Sequence, residues 1–175
     1  MQIERIDEMR LCPADEGQIA NLLGAAFDSD FGGRSFCQQR PHLRLVTRQD
    51  DRIVGHMGID LRDIRMGDTA VTVAGLGDVA TDAACRGQGI ASALLRAAIA
   101  EVKQSPAQFF ILFGDAPLYA GNGFQAMTNT IRFISLLHNR THAIYEQPSD
   151  GLMVLPLDNL AWDPDALIDL VGHPI

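Results

Sequence analysis

The sequence predicts an α+β fold, a mixed central sheet with helices on both faces. Three observations carry this expectation. Residues 52–81 read as a long antiparallel hairpin turning at Gly67-Asp68. The amphipathic run "IASALLRAAIAEV" then opens directly after a glycine turn. It leads into "FFILF", an unbroken apolar stretch of the kind found in strands covered on both faces. Antiparallel strands followed by one β–α–β crossover require a mixed sheet.

The elements follow in order. "MRLCP" reads as the end of a first strand. "ADEGQIANLLGAAF" carries Ile19, Leu22, Leu23, Ala26 and Phe27 at helical spacing. "DSDFGGRSF" is a glycine-bearing loop, and "HLRLVTR" alternates as a strand does. In the hairpin, Ile53, Gly55, Met57, Ile59 and Leu61 share one face. Val71, Val73 and Val79 continue as strand formers. Gly75 and Gly77 inside the second strand point to a bulge or a close backbone approach. Ala91, Leu94, Leu95, Ala98, Ile99 and Val102 line one side of the next helix, with Ser92, Arg96 and Lys103 opposite. After "FFILF" come a short helix around Tyr119 and a strand in "GLMVLPL". Asp163 then caps, and Pro164 opens, an expected last helix over "DALIDLV".

At 175 residues the chain is expected to form one domain, residues 1–175, with a real core. A hydrophobic content of 47% fits a globular protein. No apolar run reaches a membrane span, and "MQIERIDEMR" has no apolar signal region, so a cytoplasmic protein with no membrane partner is expected. The net charge of −8 argues against nucleic acid and mildly favours a cationic substrate. Cys12, Cys37 and Cys85 are odd in number and lack CxxC spacing, so they read as free thiols rather than nucleophiles. His138 and His142 have i, i+4 spacing but no acidic or cysteine partner at ligand spacing, so no metal is expected.

The glycine turn "RGQG" raises the chemical question. The first N–H groups of a helix lack internal acceptors, and the helix dipole is positive there. Gly87 and Gly89 let the backbone turn tightly and approach a ligand, and Arg86 adds charge. Together they describe a phosphate or pyrophosphate site. The alternative is a plain helix start with Arg86 in solvent. A P-loop pattern is absent. "GLGDVA" matches a dinucleotide fingerprint in spelling, but the helix that should open inside it starts only after Gly87.

"RGQGIA" fits the [QR]-x-x-G-x-[GA] acyl-coenzyme A loop of the GNAT N-acetyltransferases, and the chain resembles that superfamily. "LGDVAT" precedes the loop, and the amphipathic helix and "FFILF" follow it. "GDAPLYAGNGF" is similar to the family's second signature, with Tyr119 at the tyrosine position and Gly123-Phe124 closing it. The specific matches span residues 76–124. The resemblance implies a GNAT-like acyltransferase fold split between two central strands, with acetyl-CoA as cosubstrate lying in the split. Backbone groups of Val79, Ala80 and Thr81 would meet the acyl and pantetheine end. Amides of Arg86, Gly87, Gln88, Gly89, Ile90 and Ala91 would cradle the pyrophosphate. Tyr119 would protonate the leaving thiolate. Many relatives are dimers, which makes a homodimer compatible with the family. A weaker resemblance links "GHMGIDLRDIRMGDTAVTVAGLG" and "GLMVLPL" to nodulation protein A, an acyltransferase that usually lacks an arginine at the position of Arg86.

Amine acylation needs a base for the amine, a donor for the carbonyl oxygen and an acid for the thiolate. A backbone N–H near Val79 suits the oxyanion. Asp78 is the candidate base, with His56 and Asp60 as rivals on the neighbouring strand. Asp115 either faces the coenzyme or caps the short helix. Residues 31–34 lie where the family shapes its acceptor site. The expected activity is acetyl transfer from acetyl-CoA to a primary amine of a small molecule, in a direct ternary complex. A protein N-terminus or lysine is the rival acceptor. The alternatives are a longer-chain acyltransferase acting on an amino sugar and a non-catalytic acyl-CoA sensor.

Overall fold

A computed structural model of the chain describes residues 1–27, 31–114, 117–137 and 140–175. In chain order the strands and helices are β1 (Ile3–Asp7), α1 (Pro13–Ala26), β2 (Leu43–Gln49), β3 (Arg52–Met66), β4 (Thr69–Thr81), α2 (Ile90–Val102), β5 (Phe109–Phe113), α3 (Pro117–Ala120), β6 (Gln125–Ala126), β7 (Thr130–Leu137), β8 (Arg140–Pro148), β9 (Leu152–Pro156) and β10 (Ile168–Asp169). The fold is α+β, as the hairpin and crossover require. The chain forms two compact units, Met1–Asp60 with Gly77–Glu101, and Leu61–Leu76 with Val102–Ile175.

In the first unit β1 pairs antiparallel with β2, and β2 antiparallel with the start of β3. Opposite faces of this ladder carry different helices. Val46 and Ile53 pack with Ile19, Leu22 and Leu23 of α1. Ile19 and Leu23 are fully buried, each worth roughly 1.5–3 kcal/mol of apolar transfer. On the other face α2 lies against Gly55. A Cβ built there would fall 2.6 Å from Ile90 Cγ2 and 2.9 Å from Leu94 Cδ1. Gly55→Ala is therefore expected to destabilise the protein by ~1–3 kcal/mol through overpacking, read as a lower Tm in thermal unfolding. The stripe expected on α2 is realised, with Leu94, Leu95, Ala98 and Val102 buried.

In the second unit the strand order is β6-β9-β5-β4-β3-β10-β7-β8. β5 runs parallel to Val73–Leu76 of β4 and antiparallel to β9, so both its edges and both its faces are covered. The core gathers Ile64, Val73, Phe109, Ile111, Val154 and Trp162 among others. Trp162 stands edge-on to Phe109 at 5.0 Å and donates to Asn129 Oδ1 at 2.9 Å. The close approach expected at Gly75 is supplied by Ile175, whose Cγ2 would lie 2.5 Å from a built Cβ.

Three expectations are corrected. Ile53 does not share a face with Gly55: a register shift where Thr47 and Arg48 pair with β3 turns Ile53 toward α1, while Gly55 faces α2. "MRLCP" is no strand: β1 ends at Asp7, Glu8–Arg10 make a 3₁₀ turn, and Pro13 opens α1, where its missing N–H costs nothing. "DALIDLV" is no helix. Asp163 does act as a cap, but only of a turn, accepting from the Asp165 N–H at 3.0 Å. Ile168 and Asp169 instead enter the sheet between β3 and β7. Ile168 and Leu170 are fully buried there, and two flanking strands satisfy a backbone that so short a helix would leave half unpaired.

Candidate functional site

The glycine turn is built as its sequence demands. Gly87 and Gly89 have φ of 76° and 77°, a region that L-residues rarely adopt. The first helical bond of α2 runs from Ala93 N–H to Gly89 C=O at 3.0 Å. The amides of Ile90, Ala91 and Ser92 therefore have no acceptor earlier in the helix. Arg86, Gly87, Gln88 and Gly89 are exposed, Ala91 is half-buried, and Ile90 is buried as the anchor of the turn. A Cβ at either glycine would meet nothing within 4 Å, so space stands open over the loop. Gln88 is steadied by Gln49 Nε2, which donates to its Oε1 at 3.2 Å. Ahead of the turn Asp82 caps a 3₁₀ turn at Ala84 N–H and pairs with Arg52 at 2.7 Å. A cleft of about 530 Å³ opens beside it, with Thr81, Asp82 and Arg86 sharing a wall with Gln18 and Asn21 of α1.

Upstream in the same unit, β4 carries a break in its extended backbone. Asp78 sits at φ 51°, uncommon for a residue with a side chain inside a strand. Its carboxylate accepts the backbone N–H of Cys37. Burial pushes its pKa up to about 6, helped by Asp60, against the lowering effects of the Cys37 bond and Arg44. Val79 and Thr81, which follow, are half-buried, and Ala80 joins the α1 core.

His56 is fully buried, and burial lowers its pKa to about 4, so it is neutral. Its Nδ1 lies 2.8 Å from the Asp78 carbonyl oxygen and its Nε2 3.1 Å from Arg44 Nη1. A carbonyl only accepts and a guanidinium only donates, so the proton sits on Nδ1. Arg44 is itself fully buried. Its five N–H donors are all taken: two bonds to Glu8 at 2.6 and 3.0 Å, two to Ser35 at 2.7 and 3.3 Å, and one to His56. Burial raises the Glu8 carboxyl, but hydrogen bonds from Arg44 and Arg40 outweigh it and hold the pKa below its ordinary value.

These contacts sort the candidate bases. Both ring nitrogens of His56 are committed, which leaves it no lone pair for substrate. Asp60 lies 3.5 Å from the ring of His42. Asp78 keeps a carboxylate poised near neutrality. The structure thus gathers Asp78, Val79, Ala80, Thr81 and residues 86–91 in the first unit. Tyr119 belongs to the second. There its ring lies against Phe124, centroids 6.1 Å apart, and over Gly114, and burial raises its pKa, so it holds its proton at neutral pH. Gly123, at φ 93°, closes the turn that follows it.

Residues 31–34 divide: Phe31 is buried in the α1 core, while Gly32 and Gly33 are exposed. Asp115 and His138 lie outside the described residues. Cys12 and Cys37 are exposed free thiols, and Cys85 is buried. Among the described residues no three His, Cys, Asp or Glu side chains gather as metal ligands, and no helix is long and apolar enough to cross a membrane. The sequence does not single out Glu8, Ser35 or Arg44, and it marks Cys37 only as a thiol, not as the backbone donor to Asp78. The available signal was Arg44, a charge inside the otherwise apolar strand "LRLV".

Comparison with known proteins bears on this geometry. Residues 10–127 match the model of the acetyltransferase (GNAT) domain family. No curated protein sequence matches the chain. Among solved structures the chain is similar to a GNAT family acetyltransferase from Brucella melitensis in complex with acetyl-CoA, at 20% identity and a TM-score of 0.63, covering 95% of this chain and 94% of that one. It is similar to the GNAT family N-acetyltransferase YhbS from Escherichia coli in complex with CoA, at 19% identity and a TM-score of 0.65, covering 96% and 88%. It is also similar to the ribosomal-protein-S18-alanine N-acetyltransferase from Escherichia coli, at 18% identity and a TM-score of 0.60, covering 91% and 97%. With two thirds of its length matched by the family and its glycine turn folded as described, the chain belongs to the GNAT acetyltransferase family.

Proposed function

We propose that the chain transfers an acetyl group from acetyl-CoA to a primary amine of a small molecule, directly and without an acyl-enzyme intermediate. The observation that carries this is the exposed turn at Gly87 and Gly89, whose left-handed backbone and open flank leave the first amides of α2 ready for a pyrophosphate. Two structurally similar GNAT proteins hold acetyl-CoA or CoA, which supports the choice of ligand. We read the two units as parts of one catalytic domain, since β3 and β4 each continue from one into the other.

In this reading Asp78 accepts a proton as the neutral amine attacks the thioester carbon. The new C–N bond replaces the C–S bond, and the thiolate takes its proton from Tyr119. The Tyr119 role rests on the likeness of its motif. Main-chain groups of Val79, Ala80 and Thr81 meet the acyl and pantetheine end, with a backbone N–H near Val79 facing the carbonyl oxygen. The acidic balance and the Asp78–Asp60 pair favour a cationic acceptor. A protein N-terminus is the second reading, favoured by the likeness to the S18-alanine enzyme.

Thermal unfolding with acetyl-CoA, followed by an amine panel, tests the proposal. Acetyl-CoA at about a hundred times its Kd adds ~2.7 kcal/mol of stability. NAD, which also carries a pyrophosphate, adds far less. Released thiol is then followed with polyamines, amino sugars and N-terminal peptides. Tyr119→Phe is expected to slow turnover and leave acetyl-CoA binding intact. No shift with acetyl-CoA, or a shift without turnover on any amine, overturns the proposal, the second outcome in favour of a sensor.

A further inference from the structure

The Asp78 carboxylate hangs on a backbone conformation that the strand does not favour. Its φ of 51° is adopted where a neighbouring group holds the carbonyl in place. That group is the His56 ring at 2.8 Å. The ring in turn is locked by Arg44, which spends its other four N–H groups on Glu8 and Ser35. Ser35 opens the short stretch to Cys37, whose N–H meets the Asp78 side chain. Main chain and side chain of Asp78 are thus gripped from two directions, and both grips trace back to Arg44.

We propose that His56 is a positioning residue: as a neutral Nδ1–H donor clamped by Arg44, it fixes the Asp78 backbone and so aims the Asp78 carboxylate. This rests on the reading of Asp78 as the base. Three alternative roles for His56 fail on the same contacts. It has no free nitrogen for proton transfer, no exposure to substrate, and no metal-binding companions among the described residues. Removing it leaves the ring's space unfilled and the Asp78 carbonyl without its donor, so the strand relaxes toward ordinary extended geometry and the carboxylate moves. The charged and titratable groups around Asp78 are Cys37 from the loop, Arg44 from β2, and Asp60 with His56 from β3, while Arg34 acts on the Cys37 thiol. Of these, His56 acts on the main chain rather than on the charge.

The test has three arms. Imidazole ¹⁵N shifts of the wild-type protein, with the His56 signals assigned by their loss in His56→Asn, should report the neutral Nδ1–H form from about pH 8 down to about pH 5. An Nε2–H tautomer, or titration near the ordinary histidine value, overturns the proposal without any appeal to activity. His56→Leu should lower kcat by roughly 10- to 100-fold, the penalty of misplacing a reacting group by about an ångström. KM for acetyl-CoA should stay within about two-fold, and the acidic limb of kcat/KM should move down from near 6 toward the ordinary carboxylate range. His56→Asn, which keeps an N–H where Nδ1 stood, should recover most of the loss. Unchanged kcat and limb in His56→Leu, or no recovery in a folded His56→Asn, refutes it. Asp78→Asn is measured alongside. If that variant keeps full turnover, the base reading fails, and the positioning role falls with it for a reason the spectra do not share.

Discussion

Asp78→Asn is expected to lower kcat/KM for acetyl transfer by roughly 10²- to 10⁴-fold, the usual contribution of a placed general base, while making the protein more stable. Both effects have one cause. The native fold holds the Asp78 proton up to about pH 6, whereas an ordinary aspartate releases it near 3.8. Between those values the folded state binds more protons than the unfolded state, so stability contributed by this group is complete below 3.8 and lost as pH rises through 6. At pH 7 the charged carboxylate is a burden of up to about 3 kcal/mol, which asparagine removes. His56 runs the other way. Its native pKa of about 4 lies below the ordinary 6.5, so stability is lost as pH falls through that window. The two slopes oppose each other between about pH 4 and 6. In Asp78→Asn only the histidine slope remains, and Tm should climb with pH from about 4 to 6.5 more steeply than in wild type. A variant both slower and less stable would make Asp78 a structural residue, and one with unchanged kcat/KM would remove it from the reaction.

How much of this the sequence reveals depends on whether the physics is local. The hairpin over residues 52–81 and the crossover helix are legible because their apolar periods and the Gly67-Asp68 turn are written in consecutive residues. The glycine turn is legible for the same reason: φ above zero at two exposed positions needs glycine, and the helix that follows announces itself by pattern. β7 and β8 show no such pattern, since β8 is exposed along almost its whole length and has no buried face to impose alternation. The last expected helix fails because a cap and a proline describe a turn as well as a helix. What decides between them is the vacant edge between β3 and β7, which lies far away in the chain.

The candidate base shows the same division. Asp78 stands out as an acid in the right strand, but His56 and Asp60 compete with it on equal terms in the sequence. The choice rests on Arg44, twelve residues from His56, using its five donors on Glu8, Ser35 and His56. Nothing local in "HLRLVTR" says that Arg44 is fully buried rather than on the wet face of a strand. A charge buried with every donor satisfied is a long-range agreement among loop, strand and turn, and removing one partner of such a group costs about 3–5 kcal/mol.

The second large effect separates a ligand-binding turn from a merely well-formed helix start. Gly89→Ala puts a methyl group into open space, with nothing within 4 Å beyond the adjoining chain, so its structural cost is confined to the backbone at φ 77°. That cost is roughly 1–2 kcal/mol for an L-residue held in the left-handed region. If the turn serves geometry alone, the folded variant binds acetyl-CoA as wild type does. If the amides after Gly89 cradle the pyrophosphate, the methyl group stands where the phosphates must approach, and tilting the turn takes donors off line. Two lost hydrogen bonds to a charged group, at about 1.5–3 kcal/mol each, raise Kd by at least 100-fold. Titration calorimetry on folded protein measures this, and S-acetylpantetheine supplies the control, because it carries the thioester and pantetheine but no pyrophosphate. The expected result is a large loss for acetyl-CoA and little change for S-acetylpantetheine. Equal losses for both ligands would place the damage along Val79, Ala80 and Thr81 rather than at the turn. No loss for either would reduce "RGQGIA" to the opening of a helix and take the central support from the proposed function.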